Sequence, residues 1–236
     1  MDYLSNTSLF YSAAEPTSGF LTISGEEYHH IVQVLRLKRG SIINITDGVG
    51  SIYSGEIHKI GNRSLEVSIT RREYYEELLK NVTLVIPVLK SHDRLEFALE
   101  KCTELGITRF TIYYPLNSLK TKIRIDRVSR VLIAAMKQSL RPYLPGYSII
   151  GSLSELEKGS HNIILDQKGE RVIGDFICEN ENRYNLIIGP EYGFDEKELS
   201  EISPFRTYRL NPARLRTETA AVSAAAFLNS LVQNVD

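Results

Sequence analysis

The chain has 236 residues, with 28 Lys and Arg against 29 Asp and Glu and a net charge of -1. This length favours one large domain or two modest ones, and the hydrophobic (42%) and charged (24%) fractions exclude collagen-like, coiled-coil and disordered chains. Near-neutral charge also argues against a protein that coats nucleic acid through a general positive excess, although it allows a local basic patch.

The first seventy residues predict a small β-barrel. Apolar residues alternate with polar ones over 41–46 and 65–69, which is the pattern of strands with one buried face. Asp47-Gly48 predicts a turn before a further strand over 51–60. Short strands that follow one another at regular spacing, with turns between them, are typical of barrels.

One helix is predicted to interrupt these strands. Ser24 and Glu27 have the spacing of a capping box, which predicts that the helix begins there, and Gly40 predicts its end. The charged and aromatic segment 71–77 marks the predicted domain boundary, with one domain over 1–72 and the other over 73–236.

Strands alternate with helices in the second part of the chain. An apolar run over 82–87 predicts a strand buried on both faces, and helically spaced apolar residues follow it over 95–105, with Gly106 as the end of that helix. The remaining strands are predicted over 109–113, 162–165, 185–188 and up to Leu210, and the remaining helices near 128–135 and over 217–232. Repeated strand–helix units predict a mostly parallel sheet covered by helices.

A glycine-bearing loop follows the strand that ends at Ile188. Gly189 and Gly193 allow a ligand to approach bare backbone, and Asp195 with Glu198 predicts the start of a short helix. Ligands of parallel sheets bind beyond the carboxyl ends of the strands, so this loop is a candidate binding site. A simple strand–turn–helix connection explains the same residues, and both interpretations remain open.

The segment 210–220 precedes the last helix and carries two arginines. Thr217 or Thr219 is a candidate cap for this helix, whose first amides favour polar or anionic groups. The alternative is a capped helix with solvated arginines. The alanines over 220–226 suit either a close interface between subunits or packing against the chain's own sheet. Dinucleotide, P-loop, serine-hydrolase and zinc-protease motifs are all missing from the sequence.

The two cysteines, Cys102 and Cys178, are predicted to be reduced structural thiols in helices, because they are far apart and lack metal-ligand spacing. We therefore expect no metal site. Neither a basic leader nor an apolar stretch long enough to span a bilayer is evident, so we expect a cytoplasmic protein without a membrane partner.

Two motifs together resemble a known family. Ile188-Gly-Pro-Glu-Tyr-Gly-Phe194 and Leu210-Asn-Pro-Ala-Arg-Leu-Arg-Thr-Glu-Thr-Ala220 are similar to the paired signature of the RsmE-type 16S rRNA (uracil-N3) methyltransferases, which belong to the SPOUT class. The resemblance extends to the segments 29–36, 47–50, 95–106 and 137–141. It implies an α/β fold with a SPOUT-type parallel sheet and a deep trefoil knot, preceded by a small PUA-like β-barrel domain.

Two residues depart from the family pattern. Tyr192 occupies the place of a loop glycine, and Asn211 replaces the glycine of the second motif. Asn tolerates left-handed dihedral angles, so Asn211 is expected to preserve the turn. The departures motivate an alternative function, that of a divergent RNA-binding or ribosome-assembly protein with weak or no methyltransferase activity.

The resemblance implies an enzyme that transfers a methyl group from the cofactor S-adenosyl-L-methionine to N3 of a specific uridine in 16S rRNA. Its candidate catalytic residues are Arg216, which suits a developing uracil anion, Glu218, which would orient the base or take its proton, and Glu191. A helix acid stabilised by the dipole is the alternative for Glu218. The candidate cofactor-binding residues are Leu165, Ile188, Gly189, Pro190, Gly193, Leu210, Asn211, Leu215 and Thr217.

Positive charge is concentrated in one segment. Residues 118–145 hold seven bases and one acid, a net charge of +6, whereas residues 153–201 carry twelve acids and five bases. A solvated helix face is the ordinary interpretation, and the resemblance favours a phosphate-contacting surface. The candidate RNA-binding residues are Arg36, Lys38, Lys120, Lys122, Arg124 and Arg141. The resemblance also implies a homodimer that acts on the small ribosomal subunit.

Overall fold

The computed structural model describes residues 8–117, 121–179 and 181–233. The chain divides into two compact units, one formed by residues 1–77 with 133–144 and the other by residues 78–132 with 145–236. The predicted division into domains 1–72 and 73–236 stays a prediction.

The first unit is a curled sheet of five strands, as expected of a PUA-like half-barrel. Its strands are β1 (Leu9–Tyr11), β2 (Phe20–Ser24), β3 (Ile42–Thr46), β4 (Ser51–Ile60) and β5 (Ser64–Tyr74), in the order β1-β3-β4-β5-β2. The predicted turn is confirmed, because the Asp47 carboxylate accepts hydrogen bonds from the amides of Val49 and Ser51, both 2.9 Å long. The alternating apolar residues, such as Leu65 and Val67, fill one buried core.

The helix of this unit is shorter than predicted. Helix α1 (Gly25–His29) continues as one π-helical segment over His30–Val34, and Ser24 makes no capping hydrogen bond with its side chain. The capping box and the end near Gly40 were therefore wrong. Arg36 adopts a left-handed conformation with φ of 53°, which is incompatible with a continuing helix.

The second unit is a parallel sheet of seven strands. These are β6 (Val82–Pro87), β7 (Arg109–Tyr113), β8 (Gly146–Ile150), β9 (His161–Leu165), β10 (Arg171–Val172), β11 (Tyr184–Ile188) and β12 (Phe205–Arg209). Their order is β10-β12-β9-β11-β6-β7-β8, and every pair is parallel. The expected SPOUT-type parallel sheet is confirmed. The central β11 is buried along its whole length, which explains why its sequence is mainly apolar.

The α-helices described in this unit are α2 (His92–Glu104), α4 (Glu196–Glu201) and α5 (Thr217–Gln233), and residues 125–132 of α3 (Ile125–Gln138) also belong to it. Gly106, with φ of 96°, follows the end of α2 as predicted. The last strand ends at Arg209, one residue before the predicted Leu210. The edge strand β8 was not predicted because its side chains are half-exposed and lack a clear apolar alternation. Cys102 lies buried in α2, whereas Cys178 lies outside any helix, contrary to prediction.

The alanines of α5 pack inside the second unit. Ala221, Ala224 and Ala225 are fully buried, and α5 lies against α2 and against strands β6 and β11. Small side chains let the two helices approach closely. Of the two explanations for the alanines, packing within the chain accounts for these three.

Replacing Ala224 by Leu should therefore destabilise the protein. The added atoms have no space between α5 and its neighbours, and overpacking a close-packed core costs about 1–3 kcal/mol. Urea denaturation measures this cost. The control is Ala134→Leu at an exposed site of α3, which we expect to stay within about 0.5 kcal/mol of the wild type. Equal stability of Ala224→Leu and the control would contradict the packing described for α5.

Candidate active site

A cleft of about 920 Å³ lies at the carboxyl ends of β9, β11 and β12. Three loops surround it, over 166–169, 189–195 and 210–216, each following one of these strands. All nine candidate cofactor-binding residues line the cleft, and so do Glu191 and Arg216. Residues that are far apart in the sequence thus meet because parallel strands end at the same edge of the sheet.

The first loop begins at Gly189, which has no room for a side chain. A Cβ atom at this position would lie 2.9 Å from Cε2 of Phe194, whose ring covers the glycine. The buried hydroxyl of Tyr113 donates a hydrogen bond of 3.0 Å to the carbonyl of Ile188, which holds the end of β11. Gly193 has φ of 85°, a conformation that favours glycine. These contacts determine where the loop backbone passes the cleft.

The short helix after this loop begins as predicted. The carboxylate of Asp195 accepts a hydrogen bond of 2.9 Å from the amide of Lys197, and the carboxylate of Glu198 accepts one of 3.0 Å from the amide of Asp195. The capping box is therefore confirmed. Glu198 is buried and also accepts a hydrogen bond of 2.7 Å from the amide of Leu116 after β7. The base of the loop is thereby tied to the segment after β7, which lies two strands away from β11 in the sheet.

Asn211 preserves the second loop in a way that differs from the prediction. Its φ is not positive, so left-handed geometry is not the reason that an asparagine stands here. Instead its side-chain oxygen accepts a hydrogen bond of 2.8 Å from the amide of Ala213, which forms an Asx-turn. The side chain of Asn211 thus stabilises the turn by a hydrogen bond, whereas the glycine of the family pattern would allow the turn through its conformational freedom.

The loops are also linked to one another. Thr217 is the first residue of α5 and not its cap, and its hydroxyl donates a hydrogen bond of 3.2 Å to the carbonyl of Gly189. The guanidinium of Arg214 donates to the carbonyl of Glu191 over 2.8 Å. In the loop over 166–169, the side-chain amide of Gln167 donates a hydrogen bond of 3.3 Å to the carbonyl of Pro212. The cleft is thus a set of loops that hold one another by side-chain contacts to backbone.

Arg94 of α2 joins the two candidate carboxylates. Its guanidinium donates to Glu191 through Nη1 and to Glu218 through Nη2. Glu218 is buried in the first turn of α5, whereas the side chain of Glu191 is 37% exposed on its loop. Arg216 lines the cleft from an exposed position. The candidate catalytic residues therefore lie together, with an arginine between the carboxylates that was not predicted.

The charge state of Glu218 follows from this arrangement. Partial burial raises the pKa of its carboxyl, but the hydrogen bond from Arg94, aided by the positive charges of Arg94 and Arg216, lowers it more, so that the net pKa is below the ordinary value. The paired carboxylates in turn raise the pKa of Arg94, although burial opposes them. Glu218 is thus an ionised, engaged carboxylate, which makes it a poor proton acceptor.

Sequence reasoning missed Arg94, Gln167 and Arg214. Arg94 had one usable signal, since it lies near the start of a helix that follows β6, the neighbour of β11 in the sheet. Helix starts after parallel strands face the same edge as the binding loops. No sequence pattern shows that the side chain of Gln167 contacts the carbonyl of Pro212, because that contact depends on the spatial order of β9 and β12.

The candidate RNA-binding residues lie in different surroundings. Arg36, Lys38 and Lys122 are exposed. Arg124 is also exposed and shares Glu96 with Arg127 through ion pairs of 3.1 and 2.8 Å. Arg141 is partly buried, and desolvation lowers its pKa. Lys120 lies outside the described residues.

Neither a metal cluster nor a membrane-spanning helix is found in the part of the chain that the structure describes. No group of three or more His, Cys, Asp or Glu there has the arrangement of a metal site. None of the described helices is both long and apolar enough to cross a bilayer.

Replacing Glu218 by Gln should lower stability in a pH-dependent way. Because the folded pKa lies below the ordinary value of 4.5, the pair with Arg94 stabilises the fold above that pH and loses its contribution as the pH falls through the folded pKa. We expect a loss of about 1–3 kcal/mol at pH 7, narrowing toward about pH 4, in urea denaturation. The matched control is Glu157→Gln, whose exposed pair with Arg183 should contribute less than about 1 kcal/mol. A stability difference between Glu218→Gln and the wild type that does not change with pH would contradict this account.

Comparison with known proteins identifies the family of both parts of the chain. A family model described as "RNA methyltransferase domain" matches residues 76–229, and one described as "RNA methyltransferase PUA domain" matches residues 23–70. Among curated proteins, ribosomal RNA small subunit methyltransferase E of Mycobacterium bovis is 28% identical over 97% of this chain and 93% of its own length. The protein of the same name from Aquifex aeolicus is 27% identical over 93% of this chain and 98% of its own length.

Solved structures give the same result. A probable rRNA methyltransferase from Porphyromonas gingivalis superposes with a TM-score of 0.83 at 28% identity, covering 96% of this chain and 98% of that chain. Ribosomal RNA small subunit methyltransferase E from Neisseria gonorrhoeae, solved with bound S-adenosyl methionine, gives a TM-score of 0.80 at 25% identity, covering 95% of this chain and 98% of that chain. The expected SPOUT-type fold with a PUA-like domain is confirmed. The chain therefore belongs to the RNA methyltransferase family and, within it, to the RsmE type of ribosomal RNA methyltransferases.

Proposed function

We propose that this protein transfers a methyl group from S-adenosylmethionine to N3 of a uridine in 16S ribosomal RNA. The observation that carries the proposal is the cleft of three interlocked loops, in which every candidate cofactor residue meets a pair of carboxylates bridged by Arg94. The Neisseria relative, which is bound to S-adenosyl methionine, supports the choice of cofactor.

The residues of the cleft fit this cofactor. The partly exposed side chains of Leu210 and Leu215 offer an apolar surface to an adenine ring, and the loops offer backbone amides and carbonyls for its polar edge. The missing side chain of Gly189 makes room for the ring of Phe194, which lines the cleft beside the loop backbone. Asp166 after β9 is a carboxylate suited to ribose hydroxyls. When bound, the cofactor supplies an electrophilic methyl group on a positively charged sulfur.

The chain's own residues position the uracil and stabilise its charge. N3–H belongs to a weakly acidic imide, so a cationic pocket favours the reactive anion. Glu218 orients Arg94 and does not take the proton, because its pKa is lowered and its carboxylate is already engaged. Arg216 contributes positive charge from the exposed side of the cleft. Alignment of the reacting atoms then becomes largely a matter of positioning.

RNA binding is assigned to exposed bases, with Arg36 and Lys38 in the PUA-like unit and Lys122 before α3 as the strongest candidates. Arg124 contributes after exchange of its partner Glu96 for phosphate. Arg141 is partly desolvated, so we assign it a structural role and not a phosphate contact.

We further propose that the protein acts as a homodimer in the cytoplasm, where ribosomal subunits are assembled. A dimer interface would use surfaces other than Ala221, Ala224 and Ala225, which are buried within the chain.

The test of this function is methylation of 16S rRNA transcribed in vitro by the purified protein. We expect incorporation of one methyl group per RNA and a new stop of reverse transcriptase at one uridine, since an N3-methyl group blocks base pairing. Saturable binding of S-adenosylmethionine without methylation of any RNA would favour the divergent alternative. If S-adenosylmethionine does not bind saturably, the proposal that this protein is a methyltransferase is refuted.

Replacing Gly189 by Ala should weaken binding of the cofactor. The new Cβ would displace the ring of Phe194 and narrow the cleft. We expect the dissociation constant for S-adenosylmethionine in calorimetry to rise about tenfold or more, equivalent to about 1.4 kcal/mol. The matched control is Gly174→Ala, where the added Cβ has no neighbour within 4 Å. A Gly189→Ala variant that binds as the control does would show that cofactor binding does not depend on the packing of Phe194 against Gly189.

Replacing Arg36 and Lys38 together by Ala should weaken RNA binding and its dependence on salt. Each phosphate contact that is lost removes about one unit from the slope of log affinity against log salt. We expect a slope lower by about two, measured by filter binding at several salt concentrations. Arg183→Ala, which removes an exposed arginine from the second unit, is the control. An unchanged slope would remove both residues from the RNA contact.

A further inference from the structure

Arg94 stands out in the cleft because its two partners differ in how firmly they are held. Glu218 is 11% exposed, lies in the first turn of α5 and has little freedom to move, whereas Glu191 is 37% exposed on the glycine-bearing loop. In addition, Nε of Arg94 is buried and has no hydrogen-bond partner among the described residues. One side of the guanidinium is therefore anchored, and the other is held by a group that can move away.

The position of Arg94 also distinguishes it from the other arginines of the cleft. Its side chain is 29% exposed and its orientation is determined by Glu218. Arg214 and Arg216 are exposed, and Arg214 is engaged with the carbonyl of Glu191. A fixed charge in a partly dehydrated place acts on a developing charge more strongly than a hydrated one.

We infer that Arg94 is the residue that stabilises the uracil anion, and that Glu191 occupies its outer donor until the RNA substrate displaces it. This inference rests on the proposed methylation of a uridine at N3. A carboxylate and the imide anion of uracil both present oxygen acceptors with negative charge, so they compete for the same N–H group. Glu191 thereby keeps the guanidinium partnered in the absence of RNA.

The chemistry balances without a protein base. The N3–H bond breaks and its proton goes to solvent water, which leaves the negative charge on N3 and the two carbonyl oxygens of the ring. The N3 electron pair then forms the N–C bond to the methyl group while the C–S bond breaks. The electron pair of that bond stays on sulfur, which becomes a neutral thioether. One proton is released for each methyl group transferred.

Several charged or titratable groups face this site. They are Asp166 and Lys168 after β9, Glu191 and Tyr192 after β11, Arg214 and Arg216 after β12, and Glu218 of α5. Arg94 remains a cation throughout the accessible pH range, since its carboxylate partners raise its pKa against the opposing effect of burial. A pH dependence of the reaction near and above neutrality therefore reports ionisation of the uracil and not of Arg94.

The direct test is the acidity of the target base in the complex of protein and RNA without cofactor. An RNA that carries 5-fluorouridine at the target position allows its N3 ionisation to be followed by fluorine NMR. We expect the wild type to lower the N3 pKa relative to free RNA, and Arg94→Gln to restore it to the free value. Glu191→Gln should lower the N3 pKa at least as far as the wild type does, since a competitor is removed. The control is Arg171→Gln, an exposed arginine outside the cleft.

Removal of Arg94 alone leaves Glu218 without its partner, so the variant Arg94→Gln with Glu218→Gln is measured beside it. This pair of substitutions removes one positive and one negative charge, so the net charge of the cleft does not change. An N3 pKa that stays at the wild-type value in Arg94→Gln and in the double variant overturns the inference.

The pH profile of methylation gives a second measurement. In Arg94→Gln, we expect kcat at neutral pH to fall about tenfold for each unit by which the N3 pKa rises, and to recover at alkaline pH. The more acidic 5-fluorouridine RNA should restore much of the loss, and Arg94→Lys should retain part of the wild-type rate. A rate loss that neither alkaline pH nor 5-fluorouridine relieves assigns Arg94 a structural role and overturns the inference. Whichever result these two measurements give for Arg94, the proposed function stands if the wild type methylates the RNA. A wild type that binds S-adenosylmethionine but methylates no RNA refutes both the proposed function and the inference about Arg94.

Discussion

The parallel pairing of β9, β11 and β12 is the constraint on which the site depends. Leu165 pairs with Ile188 of β11 and with Tyr208 of β12, so the three strands end at the same level of the sheet. The loops that follow these strand ends therefore lie next to one another. Strand order therefore converts three separate stretches of sequence into one cleft, and the buried residues of β9 and β11 stabilise that order.

The loops themselves depend on polar contacts whose geometry is specific. Thr217 joins the start of α5 to the carbonyl of Gly189, Arg214 joins the second motif to the first, and Arg94 reaches both carboxylates from α2. Together these links limit where each loop can lie. A preorganised cleft of this kind suits a reaction that requires alignment more than covalent catalysis.

The sequence predicted most of the fold and most of the cleft, for reasons that particular residues make clear. The apolar run over 82–87 and the mainly apolar segment 185–188 identified buried strands, and Asp195 with Glu198 identified a helix start. The edge strand β8 escaped prediction because an edge strand has no consistent buried face. Arg94 escaped because its role depends on α2 and α5 lying side by side. Asn211 was expected in a left-handed turn and instead keeps its turn through a side-chain hydrogen bond, a distinction that only coordinates show.

The net charge of -1 is the sum of acidic and basic segments that nearly balance within one chain, and exposed bases such as Arg36 and Lys122 are available for the proposed contact with RNA. The most direct test of the central claim is reverse transcription of 16S rRNA from cells with and without the gene. Methylation at N3 predicts a stop at one uridine in the parent strain that disappears on deletion and returns on complementation. A stop that persists after deletion, or none in the parent strain, would contradict the account.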